Sequence, residues 1–134
     1  WSPHISIEEG LEELLKESDF ISLNLAFVPE TKLFMDAKKI KQIKPGCVFV
    51  ALVQMELVEI DALEKRLKAK DMTFILDHSD ELSPEQAKQL SQYNNCVMYP
   101  PVGYITKEAT AAKLSMLVDN IENFLKGKPT NKVN

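Results

Sequence analysis

The chain has 134 residues with 45% hydrophobic content, enough for one globular domain with a core of its own. Its formal net charge is −4, with both signs interspersed, which excludes a nucleic-acid surface, since that needs a basic stripe to displace condensed counterions. No apolar run approaches the roughly 18 residues of a membrane span, and the N-terminus lacks the basic-then-apolar pattern of a secretory signal.

In chain order, Ser6 is placed to cap a helix running to about Glu17, with Glu9 completing a capping box and Leu11, Leu14 and Leu15 forming its apolar stripe. Asp19 to Leu25 reads as a strand. Its nearly continuous hydrophobics, Phe20, Ile21, Leu23 and Leu25, suggest burial on both faces. Asp36 is placed to cap a second helix that stops before Pro45-Gly46. Lys38, Lys39, Lys41 and Lys44 fall late in that helix and read as a solvated face complementing its dipole. Cys47 to Val53 is the second strand, Ile60 to Ala69 a third helix, and Met72 to Leu76 the third strand, ending at Asp77. Pro84 suits the first turn of a short helix to about Gln92. Cys96 to Tyr99 is a last short strand, stopped by Pro100-Pro101. Thr106 then caps a long helix with Leu114, Leu117, Val118, Ile121, Phe124 and Leu125 on one face, closed by Gly127 and Pro129. Cys47 and Cys96 read as core thiols in a reducing, cytoplasmic setting. The chain opens at Trp1 rather than Met and is expected to be a piece of a longer or processed protein.

Alternating helices and run-like strands predict an α/β fold with a parallel sheet and right-handed crossovers. Ligands of such sheets bind beyond the carboxyl ends of the strands. The residues to read for function are therefore Leu25 to Val28, Leu52 to Glu56, Asp77 to Leu82 and Pro100 to Tyr104.

Those segments carry a resemblance. The run LEELLKESDFISLNLAFVPETKLFMDAKKIKQIKPGCVFV, then LVEIDALEKRLKAK, ILD, and the tail TKEATAAKLSMLVDNIENFLKGKPTNKVN are similar, block by block and in order, to the D-isomer-specific 2-hydroxyacid dehydrogenase family. The opening WSP resembles the end of the second strand of its cofactor domain. The resemblance implies a Rossmann-like sheet lacking the first βαβ unit, so that residues 1–134 form a partial NAD(P)-binding domain. It places the Gly-rich turn G-x-G-x-x-G upstream of Trp1. The four glycines of the chain do not form that pattern and cannot bring backbone to a pyrophosphate.

The resemblance also implies what has been replaced. The family's substrate-carboxylate Arg corresponds to Gln54, which carries no charge, and the paired glycines after it to Met55 and Glu56. The family's Glu, which orients its catalytic His, corresponds to Leu82, with Glu81 adjacent so that a one-residue slip could present it. The His itself corresponds to Pro101, which cannot act as an acid or base. No catalytic residue of the family is therefore retained.

For the cofactor, the resemblance points to Ser2, Leu25, Val53, Asp77 and Gly103. Asp77 reads either as the residue meeting the nicotinamide end or as a strand-end Asp capping the next turn. Ser2 replaces the Asp that favours NAD, and its place near the terminus favours no role. Asn24 and Ala26 replace a His and a Pro at the adenine side. NAD or NADP is the implied cofactor, bound weakly or not at all. His78, with Asp77, Asp80 and Glu81, reads as a metal site, an acid–base site or a solvated turn, and four neighbours on one loop favour the turn. Two functions follow: an NAD-dependent oxidoreductase of 2-hydroxy acids whose present chain is inactive, or a non-catalytic pseudoenzyme serving binding or oligomerisation. The expected partner is a second copy, as a homodimer, or the missing N-terminal part of a parent chain.

Overall fold

The computed structural model describes residues 7–103 and 105–132. These fall in two compact units, Trp1–Pro100 and Pro101–Asn134.

The first unit follows the predicted alternation: α1 (Ile7–Glu17), β1 (Phe20–Leu23), α2 (Ala37–Gln42), β2 (Val48–Ala51), α3 (Ile60–Ala69), β3 (Thr73–Asp77), α4 (Pro84–Leu90) and β4 (Cys96–Tyr99). The strands form one parallel sheet in chain order, β1-β2-β3-β4, with Leu23 opposite Ala51, Ala51 opposite Leu76, and Asp77 opposite Tyr99. The Ser6 cap lies outside the described residues. Asp36 does cap α2, accepting the Lys39 N–H at 2.8 Å, and Ser83 with Gln86 forms a capping box at α4.

Parallel neighbours joined in chain order by right-handed crossovers send every connecting helix to the same face. Burial follows that rule. Ile21, Leu23, Phe49, Ala51, Phe74 and Leu76 point to the core, while Phe20 is 76% exposed. The expectation that the first strand is covered on both faces is therefore corrected: it alternates exposed and buried. Leu14 likewise leaves the predicted stripe of α1 for solvent, while Leu15 is fully buried. Helix α2 spans only Ala37–Gln42, so Lys39 and Lys41 fall in its last turn as expected, while Lys38 stands near its start and Lys44 beyond its end. The Lys39 ammonium pairs with the cap carboxylate of Asp36 at 2.9 Å.

The amino ends of the strands are tied together by one side chain. Arg66 of α3 donates from Nε to Asp71 at 2.8 Å, from one terminal nitrogen to Ile40 O at 2.6 Å, and from the other to Ile43 O at 2.9 Å. It thereby holds the end of α2 against the entry to β3. Asn95 donates to Leu67 O and Met72 O, closing the same end from the β4 side. Burial raises the Cys47 thiol and pushes Cys96 up to about 11, so neither is a nucleophile at neutral pH.

In the second unit, α5 (Lys107–Leu125) is capped by Thr106, whose hydroxyl accepts the Ala109 N–H. Gly127, at φ 71°, ends it. Thr130 and Asn131 then donate to Asn120 Oδ1, turning the tail back along the helix. Leu114, Leu117, Val118 and Ile121 form an exposed apolar stripe on α5. Among the described residues, no helix is long and apolar enough to cross a membrane.

Candidate functional site

Three loops leave the carboxyl ends of β1, β2 and β3 side by side, and two of them are stitched together. Leu33 N–H donates to Glu56 O at 2.9 Å, Met35 N–H to Leu57 O at 2.8 Å, and Glu59 N–H to Met35 O at 3.0 Å. Met35 and Val58 form an isolated parallel bridge. The stitching holds Leu33 at a left-handed φ of 53°. The Glu59 carboxylate accepts the Ala37 N–H at 2.8 Å and so fastens the start of α2 to the start of α3.

The positions singled out in the sequence distribute as follows. Leu25 is partly exposed just past β1, and Val53 is buried just past β2. Asp77 is the last residue of β3. The sheet thus brings these three to one edge on adjacent strands. Gln54 is exposed and precedes a short 3₁₀ turn, Met55–Leu57. Met55 is mostly buried at 6% exposure yet still lines the crevice on this edge, beside Glu56. Leu82 packs against the core cluster, and Glu81 is the side chain presented outward. Ser2 lies outside the described residues. Pro101 and Gly103 belong to the second unit, and Gly103 has no positive φ.

A crevice of about 320 Å³ opens on this edge, walled by Lys32, Leu33, Glu56, Glu59, Asp61 and Glu81, among others. Its wall carries more carboxylates than cations, a potential hostile to a second anion. Lys32, Leu33 and Glu59 were not anticipated. Their membership follows from the stitching of two loops, which leaves no pattern in either loop's own sequence.

His78 follows Asp77 with φ 100° and ψ 38°, and its N–H donates to Tyr99 O at 3.2 Å. Its Nδ1 lies 3.8 Å from Glu81 Oε1. Among the described residues, no three His, Cys, Asp or Glu side chains converge as a metal site.

At this edge apolar Leu25 and Val53 follow the two strands to one side of the strand-end Asp77, a setting that suits the nicotinamide end of a dinucleotide. It does not fit the pyrophosphate. Of the glycines, Gly10 lies inside α1 and Gly46 at the amino end of β2, while Gly103 and Gly127 lie in the second unit, so no phosphate cradle is formed on this edge.

Comparison with known proteins agrees with this geometry. The model for the NAD-binding domain of D-isomer specific 2-hydroxyacid dehydrogenases matches residues 3–103. A glyoxylate reductase of Thermococcus litoralis is 34% identical over 92% of the chain, and a glycerate dehydrogenase of Methylorubrum extorquens 32% identical over 92%. The chain spans 38% and 40% of their respective lengths. A solved acyclic imino acid reductase in complex with NADPH and D-Arg superposes with a TM-score of 0.75 at 28% identity, over 92% of this chain and 40% of that one.

Proposed function

The chain belongs to the D-isomer specific 2-hydroxyacid dehydrogenase family through its NAD-binding domain, and on that premise we propose that it supplies the nicotinamide-side half of an NAD(P) site while lacking 2-hydroxyacid turnover. One observation carries the reading. Leu25, Val53 and Asp77 stand together at the carboxyl edge of the sheet, yet the positions that should clamp and protonate a 2-hydroxy acid hold other chemistry. Gln54 offers no charge to a carboxylate, Leu82 is apolar and packs against the core, and Glu56 adds an anion. The half-site binds NAD(P)H weakly, because the phosphate-cradling glycines are not among these residues. A bound cofactor would supply hydride; Asp77 and its apolar neighbours would orient the nicotinamide.

The exposed Phe20 and the outer edge of β1 further support association of this chain, with a second copy or with a polypeptide carrying the Gly-rich unit. Calorimetric titration and a dehydrogenase assay test the reading together. The expectation is no saturable isotherm at sub-millimolar NAD(H), ligand-induced shifts at Asp77 and Val53 at millimolar NADPH, and no NADH production from D-lactate or D-glycerate. Chain-dependent NADH production from either acid would overturn it.

A further inference from the structure

The long helix of the second unit carries an apolar seam that its own unit leaves uncovered. Leu114, Leu117, Ile121 and Phe124 follow one another at steps of three, four and three residues. That spacing keeps side chains in line along a helix and is the one paired helices use. Val118 and Leu125 widen the line on one flank. All six side chains are more than half exposed, and none is charged. The tail does not cover them. Thr130 and Asn131 bond to Asn120 Oδ1, and the Lys128 N–H bonds to Asn123 O, so the tail is held on the flank of Asn120 and Asn123. Glu122 also stands off the seam, where it pairs with Lys126 at 2.9 Å.

We propose that the occupant of this seam is α5 of a second copy, packed antiparallel. The seam is its own complement. In an antiparallel pair Leu114 faces the partner's Phe124, and Leu117 faces the partner's Ile121, each contact occurring twice. Val118 meets the partner's Val118 near the two-fold axis, and Ala111 meets the partner's Leu125. Every layer is apolar. Charge selects the direction. Lys107 stands one heptad before Leu114, so parallel packing would set it against the partner's Lys107 and align like ends of two helix dipoles. Antiparallel packing opposes the dipoles and brings Lys113 to the carboxyl end of the partner helix, its negative pole. Covering the six side chains on both copies buries roughly 1,000 Å² in total, the lower limit of a specific interface. The dimer is therefore weak and concentration-dependent. It is separate from the edge of β1 and independent of any cofactor.

Light scattering of the whole chain between about 1 µM and about 500 µM tests this. The mass should climb from 15.2 kDa towards twice that value. Leu117→Glu puts a carboxylate into two central layers of the pair and should weaken association about 10²-fold or more. Met116→Glu is the control: Met116 is 54% exposed but lies on the opposite face of the helix, and its substitution should leave association unchanged. Because Leu117 faces the partner's Ile121, mixing Leu117→Glu with Ile121→Lys should recover a dimer that neither variant forms alone, which a variant that had merely unfolded could not do. A chain that stays at 15.2 kDa throughout would overturn the proposal. So would equal losses from Met116→Glu and Leu117→Glu, or a mixture that stays monomeric. A dimer that survives Leu117→Glu and is lost with Phe20→Glu would place the association at β1 and overturn it too, leaving the reading of the cofactor edge intact.

Discussion

The two ends of one sheet have been built for different purposes. At the amino end, polar groups are paired in depth: the Arg66 guanidinium bonds to Asp71 and two carbonyls, Asn95 to two more, and Gly46 N–H to Asp71 O. At the carboxyl end, Leu25, Phe27, Val28 and Leu52 stand partly exposed, and Leu33 and His78 are held at positive φ. The same strands run through both, so strand propensity does not explain the contrast. One end closes the core, and the other is left open and strained, as the ligand edge of a parallel sheet is.

The largest expected effect tests that division directly. Arg66→Ala removes a side chain only 12% exposed and leaves Asp71 and two carbonyls without their partner. A loss of about 3 kcal/mol is expected. Gln54→Ala at the opposite end, exposed and on a loop, should change stability by less than about 0.5 kcal/mol. Urea unfolding of both variants measures the difference, and equal midpoints would erase the proposed division of labour.

Next in size is Asn95→Ala. The Asn95 amide serves Leu67 O at 3.1 Å and Met72 O at 2.8 Å, both part-buried, and orphaning them should cost about 2 kcal/mol. Thr31 offers the matched test at the carboxyl end. Its hydroxyl bonds the Val28 N–H and Ala26 O in an exposed loop, where water can replace it, so Thr31→Ala should cost about 0.5 kcal/mol. If Thr31→Ala proves the costlier, the carboxyl loops are structural rather than free to serve a ligand.

How far these ends were legible in sequence differs in the same way. Element boundaries are local chemistry: Asp36, Pro45-Gly46, Pro84 and Thr106 announce them through capping and φ restriction, and α3 and β4 fall where the pattern puts them. The one-sided burial of β1 was missed because a run of Phe20, Ile21 and Leu23 does not reveal which faces of a sheet have helices on them; topology decides that. The carboxyl end was half legible. Position counting found Gln54 and Leu82 and raised Glu81 as the neighbour a slip would present; the structure shows Leu82 partly buried against the core and Glu81 lining the crevice. The Leu33–Glu56 stitching and the left-handed His78 are long-range outcomes, and nothing in the string Asp77-His78-Ser79 marks them.

A smaller, pH-dependent effect sits on the carboxyl side, where α2 begins. The Lys39 ammonium and the N–H groups of the first turn hold the Asp36 carboxyl below its usual range. A depressed folded-state pKa stabilises the fold above the unfolded value, and the contribution disappears as pH falls through the folded one. The loss should therefore begin near the ordinary Asp range, about 3.9, and continue below it. Its size should be about 1 kcal/mol, set by the cap rather than by the exposed ion pair. Asp36→Asn keeps the cap without the titration, so its melting temperature should fall less between about pH 5 and about pH 3 than that of the parent. A parent and variant that lose stability in parallel would place the acid sensitivity elsewhere.

The smallest expected change separates strain that carries a role from strain that does not. Lys70 ends α3 at φ 56° and ψ 31°, with its N–H bonded to Leu67 O, a C-terminal cap that glycine fills more easily. It lies at the amino end of β3, while His78 lies just past the carboxyl end of the same strand. Both residues are left-handed, so relief of strain alone predicts that Lys70→Gly and His78→Gly each stabilise the fold, Lys70→Gly by about 0.5–1 kcal/mol once the added flexibility of an unfolded glycine is set against the gain. The ends differ in what is lost with the side chain. Lys70→Gly should leave NADPH-induced shifts at Asp77 untouched, because nothing at the amino end meets the ligand edge. His78→Gly should alter the NADPH-induced shifts at the adjoining Asp77 while raising the melting temperature. If the two glycine variants behaved alike in both measurements, left-handed backbone at the carboxyl edge would be no more than an ordinary cap, and the asymmetry between the two ends would be one of stability alone.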